Sequence, residues 1–127
     1  MAHYLIDTNV ISDYFSATLP RPGEKFLDRV IDDIPNISVI TQIELLCWKT
    51  TSLVERKTKE FVNESTVFTM TPNIIAHCVA VRRAKKIKVP DAIIAATSLA
   101  YNLTLITNNV KDFKDIRSLR VINPHAI

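Results

Sequence analysis

Short apolar runs alternate with stretches of helical periodicity along this chain, and that alternation limits the architectures open to it. YLI (Tyr4 to Ile6), NISVI (Asn36 to Ile40), Val67 to Met70, LTLIT (Leu103 to Thr107) and LRVI (Leu119 to Ile122) read as strands. Between the first two, Val10, Ile11, Tyr14 and Phe15 fall on one helical face, Pro20, Pro22 and Gly23 break the chain, and a second helix is expected from Glu24 to Asp33. Thr41 is expected to open a helix through TQIELLCWK, and a charged helix should run from Ser52 to Asn63. Thr71 and Pro72 pair an N-cap with a proline at the first helical position, and Pro90 opens a helix to Tyr101. Asn102 takes the left-handed cap usually given to glycine. This order predicts an α/β fold: a mainly parallel central sheet of about four to five strands with helices on both faces.

The chain of 127 residues fits one domain, 1–127, with enough core to need no disulfide or structural metal. Its 47% hydrophobic and 23% charged residues are those of a soluble globular protein rather than a disordered or membrane one. The longest uncharged run, Ala92 to Val110, is interrupted by Ser98, Asn102, Thr104, Thr107, Asn108 and Asn109, which argues against a membrane span. The opening residues carry neither a basic n-region nor a cleavage-type segment, so a cytoplasmic location is expected. Cys47 and Cys78 match no metal or redox spacing and read as small buried hydrophobes. His3, His77 and His125 form no motif, and Trp48 reads as core or a subunit contact. A net charge of +3 is compatible with a nucleic-acid partner without requiring one.

Four carboxylates occupy equivalent places, just after a strand or at the opening of a helix: Asp7, Glu44, Asp91 and Asp112. Each has a structural explanation of its own. Asp7 and Asn109 can cap helices, Thr41 and Glu44 have capping-box spacing, and Asp91 suits the first turn of a helix. Helix caps would be scattered, whereas these four fall where parallel strands end, at the edge where open α/β sheets bind ligands. Carboxylates gathered there repel one another unless a proton or cation compensates, and a hard divalent ion, Mg2+ or Mn2+, suits their oxygens. Thr8, Asn9, Thr41, Thr107 and Asn109 are the polar types that orient such carboxylates. Just before Asp91, Arg82, Arg83, Lys85, Lys86 and Lys88 make either a solvated helix end or a patch that tracks phosphates. Lys111, Lys114, Arg117 and Arg120 would extend that patch from the same side.

The segments LIDTNVIS, ISVITQIELLCW, IKVPDAIIAATSLAYNLTLITNNVKDF and VINP, in this order, resemble the PIN-domain nucleases, specifically the VapC-type toxins of toxin-antitoxin modules. The resemblance extends from Tyr4 to Pro124, and PDAIIAA followed by LITNNVKDF is its most specific part. It implies a three-layer α/β/α fold and a metal-dependent ribonuclease that leaves a 5′-phosphate and a 3′-hydroxyl. Asp7, Glu44 and Asp91 match the central acidic residues of the family, and Asp112 matches a fourth. Asn109 stands where some relatives carry aspartate, and Thr107 falls where a supporting polar residue is usual. A cognate antitoxin and a homodimer are also implied, with Ile11, Tyr14, Phe15 and Trp48 as expected contact surfaces.

Other readings fit less well. A haloacid-dehalogenase-like enzyme would carry an aspartate where Asn9 stands, and a receiver domain would carry an acidic pair at Ile6-Asp7 and a lysine after Thr107. A non-catalytic PIN-like RNA-binding module or a housekeeping RNA-processing nuclease would keep the same fold.

Overall fold

The computed structural model describes residues 3–127. Its five strands are β1 (Tyr4–Ile6), β2 (Asn36–Ser38), β3 (Thr66–Phe68), β4 (Thr104–Ile106) and β5 (Val121–Ile122). They form one sheet in the order β3-β2-β1-β4-β5, every pair parallel. The helices are α1 (Thr8–Phe15), α2 (Arg21–Asp32), α3 (Val39–Cys47), α4 (Ser52–Glu64), α5 (Pro72–Ala84), α6 (Val89–Ala100) and α7 (Val110–Phe113). A 3-10 turn at Pro124–Ala126 follows β5. No helix among the described residues is long and apolar enough to cross a membrane.

Strand alternation divides the core into two layers. Ile6, Ile37 and Ile106 face one side with Val10, Ile11, Leu27, Leu45, Phe61 and Val62, which come from α1 to α4. Leu5 and Leu105 face the other with Val81, Ala92, Ile94, Ala95 and Phe113 from α5 to α7. Each fully buried aliphatic side chain in these layers contributes roughly 1.5–3 kcal/mol. The result is the expected three-layer α/β/α fold.

Several local expectations change. The NISVI strand stops at Ser38, and Val39 and Ile40 belong to α3, because the Ser38 hydroxyl accepts from the Thr41 amide and caps the helix there. Thr41 therefore lies inside the helix, and Glu44 is released from the capping-box role. Helix α2 begins at Arg21, with Pro22 and Gly23 in its first turn. A Cβ on Gly23 would stand 2.0 Å from the carbonyl oxygen of Pro124, so the glycine serves contact with the 3-10 turn rather than a break. Asn102 does take the left-handed conformation, with φ of 55°. Ile11 is fully buried and offers no contact surface, while Tyr14 and Phe15 pack on the core and stay partly exposed. Cys47 is exposed, and Cys78 and Trp48 are half-buried.

Candidate metal centre

All five strands end on the same edge of the sheet, and the direction of crossing reverses between β1 and β4. That reversal opens a crevice at the carboxyl ends of these two strands. Asp7 follows β1 and Thr107 follows β4, so they flank the crevice and bridge it: the Thr107 hydroxyl donates to Asp7 Oδ2 at 2.8 Å. The Thr8 amide donates to Asp7 Oδ1 at 2.8 Å and Asn9 Nδ2 to Oδ2 at 3.2 Å. Asp7 is thus the N-cap of α1 as well as the floor of the crevice.

The other carboxylates arrive on helices. Glu44, on the second turn of α3, accepts from the Thr8 hydroxyl at 2.6 Å, and the Thr8 and Thr41 hydroxyls stand 3.1 Å apart. Asp91 lies in the first turn of α6. Helix α6 leads back to the start of β4, so its N-terminus lies at the same sheet edge as Asp7. Asp112, on α7, is held by Asn109, whose Nδ2 donates to its Oδ2 at 2.8 Å. The Asn109 amide in turn donates to Thr107 Oγ1 at 3.0 Å, so the loop after β4 links Asp7 to Asp112 in one polar chain.

The carboxylates lie near enough to act on one another's charge. Asp7 is 4% exposed, and burial pushes its carboxyl up to about 6, against the Thr107 and Thr8 hydrogen bonds that lower it. Asp91 and Glu44 raise it further by repulsion. The half-buried Asp91 is also raised, first by burial, then by Asp112 and Glu44, with Lys88 opposing. Within this group of like charges no cation offsets Asp7, whereas Lys88 partly offsets Asp91. The donor set, carboxylate oxygens supported by hydroxyls and amides, fits a hard divalent ion. Among the described residues no three His, Cys, Asp or Glu side chains are grouped closely enough to hold a metal ion as they stand.

Two clefts meet the acidic group. One, about 560 Å³, is lined by Asp91, Asp112, Arg82, Lys85, Lys86, Lys88, Lys111 and Lys114. The other, about 360 Å³, runs past Thr8, Ser12, Glu44, Cys47 and Trp48. Most of the expected basic patch therefore does adjoin the acids. Arg83 does not line that groove, Arg117 lines a separate cleft, and Arg120 hydrogen-bonds Thr104 and Asn102 at the opposite edge of the sheet. The sequence reading missed Ser38, Asn108 and Asp13. Asn108 Nδ2 donates to Asp13 Oδ2 at 2.7 Å, a pairing across the fold that no local spacing reveals.

A PIN-domain family model matches residues 4–119, nearly the whole described chain. The chain belongs to the PIN-domain family. The fold agrees with solved structures of that kind. A chain of a toxin-antitoxin complex from Klebsiella pneumoniae is 33% identical, with a TM-score of 0.77 over 95% of this chain and 97% of that one. A VapBC complex from Rickettsia felis, bound to a DNA fragment from its promoter, gives 23% identity and a TM-score of 0.76 over 94% and 97%. A DNA-bound VapBC from Salmonella typhimurium gives 20% and 0.78 over 98% and 99%. These last two show likeness of fold. No curated protein matches the chain.

Proposed function

We propose that this PIN domain, one domain over 1–127, is a divalent-metal-dependent endoribonuclease and the toxin of a toxin-antitoxin pair. The observation that carries the reading is the partly compensated acidic group: a buried Asp7 raised to about 6, with Asp91 and Glu44 close enough to repel it. Asp7, Glu44 and Asp91 would hold Mg2+ or Mn2+, with Asp112 beside them. A bound ion of this kind lowers the pKa of its water and offsets charge building on the phosphoryl oxygens.

The chain's own residues do the remaining work. Thr107, Asn9 and the Thr8 amide hold both Asp7 oxygens in place. Asn109 orients Asp112, and Thr8 orients Glu44. Arg82, Lys85, Lys86, Lys88, Lys111 and Lys114 line a groove that ends at Asp91 and Asp112, suited to a phosphate backbone entering the acids. Arg83, exposed on the last turn of α5, adds charge to the same helix end. In-line attack of water on an RNA phosphodiester then needs no nucleophilic side chain.

The toxin reading is supported by the likeness to the Klebsiella chain, whose structure is a toxin-antitoxin complex. A cognate antitoxin and a second copy of this chain are the proposed protein partners, and the cytoplasm the proposed location. Ile43 and Leu46 on α3 and Leu53 on α4 are at least half exposed and support a protein contact there.

Cleavage of structured cellular RNA by purified protein in Mg2+ or Mn2+, beside an Asp91→Asn preparation, tests the activity. Cleavage by the wild type alone, abolished by chelator, is expected. Equal cleavage by both preparations, or none by folded and antitoxin-free protein, would leave a PIN-like RNA-binding module instead.

A further inference from the structure

We propose that Asp13 is a positioning residue through which the C-terminal 3-10 turn sets the placement of the β4–α7 loop, and with it Thr107, Asn109 and Asp112; its consequence for metal binding rests on the reading above. Asp13 lies on α1, one turn beyond the residues that meet the acids. Its Oδ2 accepts from Asn108 Nδ2 at 2.7 Å and lies 2.9 Å from His125 Nε2. Three segments remote in sequence therefore meet on one oxygen: α1, the loop after β4, and the turn at Pro124–Ala126.

Both sides of that meeting point are fastened. The Asn108 amide donates to Asn9 Oδ1 at 3.3 Å, and the Thr107 amide donates to the Ile122 carbonyl at 3.0 Å. On the far side, Asn123 Oδ1 accepts from the His125 amide at 3.0 Å. Gly23, the chain's one glycine, lets α2 lie against the Pro124 carbonyl where any Cβ would collide. Thr18 completes the fit by donating to Asp13 Oδ1 at 3.3 Å. Asn108 sits between Thr107, which holds Asp7, and Asn109, which holds Asp112. Releasing the Asn108 side chain removes the tether that lies between both neighbours, leaving the amide bonds of Thr107, Asn108 and Asn109 to hold the loop. The His125 pair is partly solvent-exposed, which makes its own stabilisation small, so its role is one of geometry.

Nuclear magnetic resonance on the metal-free full chain tests this without relying on activity. In Asp13→Ala and His125→Ala, the backbone amides of residues 107 to 112 and the Asn109 side-chain amide should shift and exchange faster. Asp13→Asn keeps an oxygen acceptor and should retain the wild-type spectrum in that loop. Changes confined to residues 12 to 18 and 123 to 126 would overturn the proposal. If Asp13→Ala does not fold, Asn108→Ala breaks the same link from the loop side and is read by the same resonances.

A Mn2+ titration of the same samples, followed by paramagnetic broadening near Asp7 and Asp91, gives the functional consequence. Asp13→Ala should need about tenfold more Mn2+ than the wild type, the usual scale for a group that supports a ligand. Broadening absent from the wild type itself would count against the metal reading, while the loop resonances would still decide the role of Asp13.

Discussion

The two halves of the acidic group are built on different terms. Asp7, the N-cap of α1, and Asp112, on α7, belong to a half tied through the loop after β4 (the loop half), in which Thr107, Asn109, Asn9 and the Thr8 amide hold the carboxylates by hydrogen bonds. Glu44 and Asp91 belong to a helix-borne half, exposed or half-buried, where Thr8 holds Glu44 and Lys88 faces Asp91. The loop half is tied together by hydrogen bonds, and the helix half brings charge to the same crevice. Hydrogen bonds of this kind fix the orientation that a preorganised site requires.

Asp91→Asn should show the largest effect. It removes charge from the helix half and should lower RNA cleavage by roughly 10²–10³-fold, the scale of losing one electrostatic stabiliser. As a helix-start residue alone, Asp91 is worth about 0.3–1 kcal/mol, so the midpoint of thermal unfolding should barely move. A folded variant that retains wild-type cleavage would remove the distinction between the halves.

Asp7→Asn tests the cost of burying charge in the loop half. The Asp7 carboxyl is raised from 3.8 to about 6 in the folded chain, so the native state holds its proton more tightly than the unfolded state does. Between those two values, metal-free stability falls as pH rises, and above about 6 the penalty is complete. The stability of the neutral variant relative to the wild type should rise by up to about 2–3 kcal/mol between pH ~4 and pH ~7, on top of a pH-independent cost from the hydrogen bonds that an Asn Nδ2 cannot accept. Urea unfolding in chelator at the two pH values measures the difference. Equal pH dependence in both proteins would contradict the assignment.

Gly23→Ala strikes the outer support of the loop half. Moving the Pro124 carbonyl away from the new Cβ should cost about 1–3 kcal/mol in urea unfolding, as overpacking does. Wild-type stability would mean that the contact is soft. Thr107→Val is the mildest change, removing the hydroxyl that donates to Asp7 and accepts from the Asn109 amide while keeping shape. It should lower stability by about 1 kcal/mol and Mn2+ affinity about tenfold. Thr41→Val, on the helix side, should change Mn2+ affinity less, and the reverse order would invert the comparison.

The sheet was legible because its strands are short apolar runs set off by turn and cap residues, as with YLI before DTN and LTLIT after Asn102. Four acidic positions were legible for a related reason: strand ends are marked in the sequence, and parallel strands send their ends to one edge. Helix α3 was misread at its start because Val39 and Ile40 are β-branched and extend the strand pattern past Ser38. Gly23 was misread as a breaker because its reason lies at Pro124, on the far side of the chain. The same holds for Asp13, Asn108 and His125, whose pairing depends on the fold bringing remote segments together. Local chemistry is visible in local sequence; contacts that close across the fold are not.

The central claim is that the carboxylates at the β1/β4 crevice hold a divalent cation. An anomalous difference map from crystals of the protein soaked in Mn2+ tests it most directly. A peak is expected among the Asp7, Glu44 and Asp91 carboxylates, lost in Asp91→Asn crystals. A crevice free of density at saturating Mn2+, or a peak that persists unchanged in the variant, would contradict it.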